Sequence, residues 1–287
     1  MALIPPGFFD CVVAIGTKMP NNENKWIGTG FLFGKYLKTN TDQSKQYRIY
    51  LVTNKHVIQN QKNILLKFNP QTDQSSKDYD ISLINSSTGN PIWTGHNNPN
   101  VDVAVLEVNL QFLKEEGMKF DFFRSDDLVM SKTKMKENIT EGDFIYVLGF
   151  PMGMVDKDRQ YVFLRQGVIS RIRDMFEGRS TDFVIDAVVF PGNSGGPVIL
   201  KPEVISIEGT KASNTAGLIG IIKSYIPYQE IAISQQTGRP RITFEENTGL
   251  SLVEPTDHII ETIEIDEKSK YPPVPPIIKI PTIAPPK

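Results

Sequence analysis

Short apolar runs separated by turn-forming residues recur along most of the chain. The runs are rich in Val, Ile, Phe and Tyr, and Gly, Pro, Asn and Asp punctuate them, which is typical of an all-β sandwich or barrel. Both halves of the chain are therefore predicted to be built from strands. The predicted strands cover residues 9–15, 26–36, 47–53, 64–68, 101–108, 144–150, 161–172, 183–190, 197–200 and 217–226.

Few segments show the residue spacing of a helix. Residues 110–118 fit a short helix, and residues 255–264 fit better because isoleucines recur on one face, with Thr256 and Asp257 as candidate caps. Prolines then crowd residues 268–287, a composition that favours polyproline II or disorder over sheet. We therefore predict a short C-terminal helix followed by a disordered Pro-rich tail.

The 287 residues give room for two β-barrels packed side by side. Barrel 1 is predicted at about residues 8–120 and barrel 2 at about 121–253. Their junction is expected near residues 109–141, where polarity rises and the strand pattern lapses. Residues 1–267 would then form one domain ahead of the tail.

Composition narrows the classes of function. The formal net charge is −2 and the pI about 6.0, which argues against a broad nucleic-acid-binding surface. A single cysteine, Cys11, excludes an intramolecular disulfide. No apolar run approaches the roughly 20 residues needed to span a bilayer, and the N-terminus lacks the pattern of a secretory signal. We therefore expect a cytoplasmic protein without membrane contact.

The strongest chemical signal is the stretch from Phe190 to Pro197, which reads Phe-Pro-Gly-Asn-Ser-Gly-Gly-Pro. Glycines on both sides of Ser194 let the backbone turn tightly and keep the hydroxyl uncovered. They also let the amides of Gly192 and Ser194 converge on one point, as an oxyanion hole requires. The alternative interpretation is a flexible Gly-Ser turn without chemistry.

A serine nucleophile needs a base within hydrogen-bond reach, and the chain has 3 histidines. His56 lies where an apolar strand runs into a polar break, the usual place for a site residue on a rigid scaffold. His96 lies in a loop and is predicted to be a solvated turn residue. His258 is predicted to face solvent or to cap the C-terminal helix. His56 is therefore the candidate base.

The third member of such a site is a carboxylate that fixes the imidazole tautomer. Asp102 stands at the head of an otherwise apolar strand, where an acid is costly to bury unless it is paired. The competing acids are Asp80, Asp143 and Asp186. Asp143 fits a turn. Asp186 is too near Ser194 along the chain to reach the far side of the imidazole, so it is expected to support the oxyanion loop or to take a structural hydrogen bond. Asp102 is the favoured acid.

The segments around His56, Asp102 and Ser194, in that order, resemble the motifs of trypsin-like serine peptidases. The closer resemblance is to the bacterial HtrA (Deg) peptidase domain without PDZ modules, and it spans about residues 8–265. It implies two six-stranded antiparallel barrels of the chymotrypsin type, with a cleft for peptide-bond hydrolysis between them. Further segments that resemble this branch are 28–33, 147–151, 167–170, 186–188 and 217–221.

The resemblance also indicates a specificity pocket and an oxyanion hole. The oxyanion hole would comprise Gly192, Asn193 and Ser194. Asn193 stands where trypsin has an acid, so activation by a freshly cut N-terminus is not expected. Val188 corresponds to the base of the primary pocket and carries no charge, which disfavours basic side chains. The residues expected to edge the cleft are Lys223, Ser224 and Tyr225.

Three interpretations of the chain's function follow. The favoured one is a serine endopeptidase that acts on protein or peptide substrates and needs no metal or cofactor, since no ligand cluster is visible. The second is a catalytically silent relative that binds peptides or a partner. In the third, the Pro-rich tail itself binds a partner through Pro-x-x-Pro stretches such as residues 273–276.

Overall fold

Strands dominate the computed structural model, which describes residues 4–203 and 216–271. The first unit is an eight-stranded sheet with the order β5-β4-β1-β2-β3-β7-β6, and β8 pairs with β2. All neighbours are antiparallel except the β2–β8 pair, which is parallel. Its strands are β1 (Val12–Lys18), β2 (Asn24–Thr39), β3 (Lys45–Thr53), β4 (Asn63–Phe68), β5 (Lys77–Ser82), β6 (Thr94–Gly95), β7 (Ala104–Glu107) and β8 (Phe123–Arg124).

The second unit is a closed barrel with the order β10-β11-β14-β13-β12-β9. Every pair in it is antiparallel. The expected all-β fold with a six-stranded barrel is therefore confirmed for this unit. Its strands are β9 (Phe144–Gly149), β10 (Phe163–Arg171), β11 (Phe183–Asp186), β12 (Pro197–Leu200), β13 (Gly217–Ile233) and β14 (Pro240–Pro255).

Most helices are short. They are α1 (Gly7–Asp10), α2 (Lys55–Ile58), α3 (Gln111–Glu115), α4 (Lys132–Asn138), α5 (Arg173–Phe176) and α6 (Thr256–Lys270). Helix α6 buries Ile259 and Ile263 completely, and it is longer than the predicted 255–264. Among the described residues, no helix is long and apolar enough to cross a membrane.

The first unit differs from the predicted six-stranded barrel in strand number and closure. The two ends of its strand path, β5 and β6, are joined by a short irregular hairpin that contains the isolated bridge between Ile84 and Pro91. In this hairpin the Ile92 amide donates to the Leu83 carbonyl oxygen at 2.9 Å, and the Asn85 amide donates to the Asn90 carbonyl oxygen at 2.8 Å. Pro91 has no N–H to donate, so the pairing is weaker there than in a regular ladder. β8, beyond the predicted barrel end at residue 120, still pairs with β2.

Two apolar clusters fill the units separately, and a third joins them. The third contains buried side chains from the first unit, such as Val12 and Phe31, together with Leu148, Ile199 and Ile221 from the second. Such shared burial fixes the relative position of the two units, because separating them would expose this apolar surface to water. The groove between the units is thereby held in a defined shape.

Strands β13 and β14 continue past the barrel as a paired arm. The prediction ended β13 at residue 226 and missed β14, whereas the two strands remain paired from Pro227–Asn247 out to Ile233–Pro240. Large side chains on this arm, including Phe244, are more than half exposed. The predicted tail, apart from residues 268–271, lies outside the described residues.

Candidate active site

Ser194 lies in a tight loop between β11 and β12. The glycines flanking it have positive φ angles, +98° at Gly192 and +85° at Gly195, which side-chain-bearing residues rarely adopt. A Cβ atom at Gly192 would also collide with the Phe150 carbonyl oxygen, and one at Gly195 with that of Thr29. The local sequence therefore permits this loop because both positions are glycine.

Thr29, on β2 of the first unit, braces the same loop. Its buried hydroxyl donates to the Gly192 carbonyl oxygen at 2.6 Å and accepts the Phe150 amide at 3.1 Å. Its own amide donates to the Ser194 carbonyl oxygen at 2.9 Å. No local sequence pattern marks Thr29 as a site residue, since threonine is common inside apolar strands.

The backbone amides of Gly192 and Ser194 have no acceptor within the described residues. Asn193, the third residue of the predicted oxyanion hole, differs from these two. Its amide donates to the Phe190 carbonyl oxygen at 2.9 Å, and its buried side-chain oxygen accepts the Phe190 amide at 3.1 Å. Asn193 therefore closes the turn, and it leaves the neighbouring amides free to donate.

His56, in α2, and Asp102, just before β7, are in direct contact. One carboxylate oxygen of Asp102 contacts His56 Nδ1, and the other accepts the His56 amide at 3.1 Å. Asn54 donates its side-chain amide to the Asp102 carbonyl oxygen at 2.6 Å. An ionised carboxylate accepts from Nδ1–H, so this contact leaves Nε2 of a neutral imidazole as the proton acceptor.

His56, Asp102 and Ser194 line one cleft of about 460 Å³. The Ser194 hydroxyl donates to the Lys223 carbonyl oxygen at 3.5 Å, and within the described chain no hydrogen bond joins it to His56. The other lining residues are Val189, Phe190, Pro191, Ile222, Lys223, Ser224 and Tyr225.

The alternative acids lie elsewhere. Asp80 pairs with Lys18 and Asn63 on the first sheet, and Asp143 accepts the Thr140 amide in a turn. Asp186 is exposed at the end of β11. Within the described residues Asp102 is the one acid in contact with His56. A larger cavity of about 750 Å³ lies on the first unit, and none of the predicted site residues lines it.

The other two histidines are not solvated, which corrects the prediction for His96 and the solvent-facing alternative for His258. The side chains of His96 and His258 are 11% and 14% exposed. Their rings lie 5.5 Å apart between the first unit and α6. His96 Nε2 contacts Glu261 at 2.9 Å, and His258 Nδ1 contacts Glu254 at 2.6 Å. Both side chains are largely buried because α6 packs against β6 and β7.

The predicted specificity residues divide into two groups. Lys223, Ser224 and Tyr225 line the cleft, whereas Val188 does not and is 42% exposed. Its neighbour Val189 is buried and lines the cleft in its place. Consecutive residues of an extended segment point to opposite sides, so a shift of one position exchanges an inward for an outward side chain.

The ammonium group of Lys223 is bound by three oxygens. They belong to the Asn100 carbonyl at 2.8 Å, the Asp182 carboxylate at 2.9 Å and the Glu254 carboxylate at 3.0 Å. Burial acts to lower the pKa of Lys223, but the bonds to the two carboxylates outweigh it and raise that pKa. The positive charge of Lys223 is therefore paired with carboxylates of the protein and is not available to bind a substrate.

The described residues contain no cluster of three or more His, Cys, Asp or Glu side chains arranged to hold a metal ion. Serine, histidine and carboxylate side chains line the cleft. These groups are the usual components of nucleophilic acyl transfer.

Comparison with known proteins identifies the family. No curated protein matches the chain significantly. Similar solved structures include the MamO protease domain from Magnetospirillum magneticum, with 16% identity, a TM-score of 0.46 and coverage of 89% of this chain and 96% of that one. The scabies mite inactivated protease paralogue S-I1 has 14% identity and a TM-score of 0.44, covering 89% and 94%. HL collagenase has 13% identity and a TM-score of 0.46, covering 91% and 94%.

The narrower likeness to the HtrA branch stays a prediction. At the level of the family, the sequence model of the trypsin-like peptidase domain matches residues 28–203, which is more than half of the chain and includes His56, Asp102 and Ser194. The chain therefore belongs to the trypsin-like peptidase domain family.

Proposed function

We propose that the chain is a serine endopeptidase in which Ser194 is the nucleophile, His56 the general base and Asp102 the orienting acid. The observation that carries this proposal is the contact of Asp102 with His56 Nδ1, in the same cleft that Ser194 lines. This arrangement supports the proposal because Asp102 can orient the base, His56, in the cleft where the candidate nucleophile Ser194 also lies.

In the proposed acylation step, the Ser194 hydroxyl turns from the Lys223 carbonyl oxygen toward His56. Oγ attacks the scissile carbonyl carbon while His56 Nε2 takes the hydroxyl proton. The resulting imidazolium is stabilised by the Asp102 carboxylate. His56 then gives the proton to the leaving amine nitrogen, the C–N bond breaks, and an acyl-enzyme remains.

The negative charge on the tetrahedral intermediate requires hydrogen-bond donors. The amides of Gly192 and Ser194 suit this role because no acceptor among the described residues uses them. In known cases one such donor lowers the barrier by about 3 kcal/mol. Water, deprotonated by His56, then attacks the acyl-enzyme and releases the second product in the reverse sequence of proton transfers.

The proposed substrates are proteins or peptides with small or medium apolar side chains at the cleaved bond. Val189, Phe190 and Ile222 give the cleft apolar walls, and Tyr225 narrows it. The Lys223 ammonium is bound by protein oxygens and is therefore not a counter-ion for an acidic substrate side chain. A cytoplasmic location and a partner for the Pro-rich tail stay predictions.

Replacing the nucleophile tests this function directly. We expect Ser194→Ala to remain folded and to lose covalent labelling by a fluorophosphonate probe, with hydrolysis of a peptide library reduced about 10⁴-fold or more. Ser224→Ala is the matched control, because Ser224 lines the same cleft and is exposed. That variant should retain labelling.

Two results would contradict the proposal. One is persistent hydrolysis by Ser194→Ala at the rate of the unaltered protein. The other is a folded, unaltered protein that neither reacts with the probe nor cleaves any library peptide. The second result would favour the catalytically silent interpretation, in which the cleft only binds peptides.

A further inference from the structure

A fully buried carboxylate lies directly behind Asp102. It belongs to Glu254, near the end of β14, and its side chain is 0% exposed. Its Oε1 accepts the Asp102 amide at 3.0 Å and the Lys223 ammonium at 3.0 Å. Its Oε2 contacts His258 Nδ1 at 2.6 Å. Glu254 thus connects the second barrel to the backbone of the acid that holds His56.

A buried carboxylate is retained only where other groups offset the loss of hydration. Lys223 provides the opposite charge and is itself held by Asp182 and by the Asn100 carbonyl oxygen. Asn100 lies two residues before Asp102, so Glu254 and Lys223 bind the same short segment at two points. Of these two contacts, the one from Glu254 is made to the amide of Asp102 itself.

This segment needs support from outside, because it is not part of a strand. β7 begins at Ala104, and residues 101–103 are irregular. The amide of Val101 donates to Asn98 and the carbonyl oxygen of Val103 accepts from His96, whereas the Asp102 amide donates to Glu254. The Asp102 carbonyl oxygen is held by Asn54 and its carboxylate by the His56 amide, and both of these residues belong to the first unit. Glu254 holds the remaining backbone group, the Asp102 amide, from the second barrel.

We infer that Glu254 is a positioning residue, whose carboxylate oxygen holds the Asp102 backbone so that the Asp102 side chain keeps His56 in register with Ser194. The inference rests on the proposed function. Catalysis is sensitive to such placement, because an error of about 1 Å in a reacting group can lower the rate roughly 10²-fold. Substrate binding depends on the cleft walls, so the effect should fall on kcat and leave KM nearly unchanged.

The test compares three variants on a fluorogenic peptide that the unaltered protein cleaves. Glu254→Met keeps the volume but removes the acceptor, and we expect kcat to fall about 10- to 100-fold with KM within about twofold. Glu254→Gln retains an acceptor oxygen for the Asp102 amide, so kcat should recover to within about fivefold of the unaltered protein. Asp182→Asn is the matched control, since it loosens Lys223 but leaves the bond between Glu254 and Asp102 in place.

A fourth variant covers the case in which Glu254→Met does not fold. Glu254→Asp keeps the charge but withdraws the acceptor by one methylene, and it should lower kcat about tenfold without changing KM. Circular dichroism and thermal unfolding establish that each variant is folded before its kinetics are compared.

The outcomes separate this inference from the proposed function. The inference is overturned if Asp182→Asn lowers kcat as much as the Glu254 variants, because the effect would then act through Lys223. It is equally overturned if folded Glu254→Met or Glu254→Asp retains full kcat. An unaltered protein that neither labels at Ser194 nor cleaves peptides would overturn the proposed function, and this inference with it.

Discussion

At the scale of single residues, the serine loop depends on the hydroxyl group of Thr29. This fully buried hydroxyl donates to the Gly192 carbonyl oxygen and accepts a hydrogen bond from the Phe150 amide. Both partners are backbone groups of the second barrel, whereas Thr29 lies on the first unit. One side chain therefore fixes the loop and joins the two units beside the cleft.

We expect Thr29→Val to lower the free energy of unfolding by about 1–3 kcal/mol. Valine has nearly the same shape, so the loss comes from two buried backbone groups left without a partner. Thr29→Ser keeps the hydroxyl and is the control, with a smaller loss. Urea denaturation measures both, and the fluorophosphonate labelling rate should fall with Val but not with Ser. Equal unfolding free energies for Val and Ser would show that the two hydrogen bonds are unimportant.

The sequence predicts residues whose chemistry is concentrated in a local pattern and misses those defined by distant contacts. The glycines around Ser194 predict the loop, because residues other than glycine rarely adopt the positive φ angles that it contains. No local sequence pattern marks Glu254, because the amide that it binds belongs to Asp102, 152 positions away in the chain. Val188 shows a third case, in which the pattern indicates the right segment but not which of two neighbouring side chains faces the cleft.

At the scale of elements, apolar periodicity predicts the strands that face a core. β3, β4, β9 and β12 lie close to their predicted ranges because their side chains are largely buried. The outer part of β14 is mostly polar and exposed, so no apolar pattern marks it. The predicted end of β13 at residue 226 falls just before Pro227, but in the structure Pro227 pairs with Asn247 and the strand continues. On an arm without a third strand, a missing N–H can face the free edge.

Helix α6 shows how contacts can extend an element beyond its apolar pattern. Its last turn carries Lys270, which pairs at 3.0 Å with the fully buried carboxylate of Asp266. The ring of Tyr271 then lies 4.2 Å from the guanidinium carbon of Arg48. These contacts connect the end of α6 to the first unit, and a boundary drawn at residue 264 or 268 would cut through them.

Truncation tests the contribution of this last turn. A chain ending at Glu267 should be less stable than one ending at Tyr271 by about 1–3 kcal/mol, because it leaves the Asp266 carboxylate without its cation and removes the contact of Tyr271 with Arg48. Denaturant unfolding of the two chains gives the difference directly. If both unfold at the same denaturant concentration, the final turn of α6 contributes nothing to the fold.

At the scale of the whole molecule, the cleft exists because two β-units share an apolar core. The sequence predicts two β-units and a site between them, since strand patterns and the three motifs are spread over both halves. It does not predict that one unit closes fully while the other closes through a short irregular hairpin, because closure depends on pairing between strand edges. The parallel pairing of β8 with β2 is likewise a long-range contact without a local pattern.

A shared core and a shared site predict that the two units unfold together. Trp26 and Trp93, the chain's 2 tryptophans, both belong to the first unit, and Trp26 also packs against the shared core. Tryptophan fluorescence therefore reports on the first unit and its contact with the second, while far-UV circular dichroism reports on both units. We expect coincident thermal transitions by the two probes, as in a two-state protein.

A substitution confined to the core of the second barrel tests this coupling. Ile185→Val should lower the free energy of unfolding by about 0.5–1.5 kcal/mol and lower both midpoints equally, by roughly 2–4 °C per kcal/mol. A fluorescence midpoint that stays fixed while the dichroism midpoint falls would mean that the units unfold separately, and that the cleft is held by fewer contacts than the shared core implies.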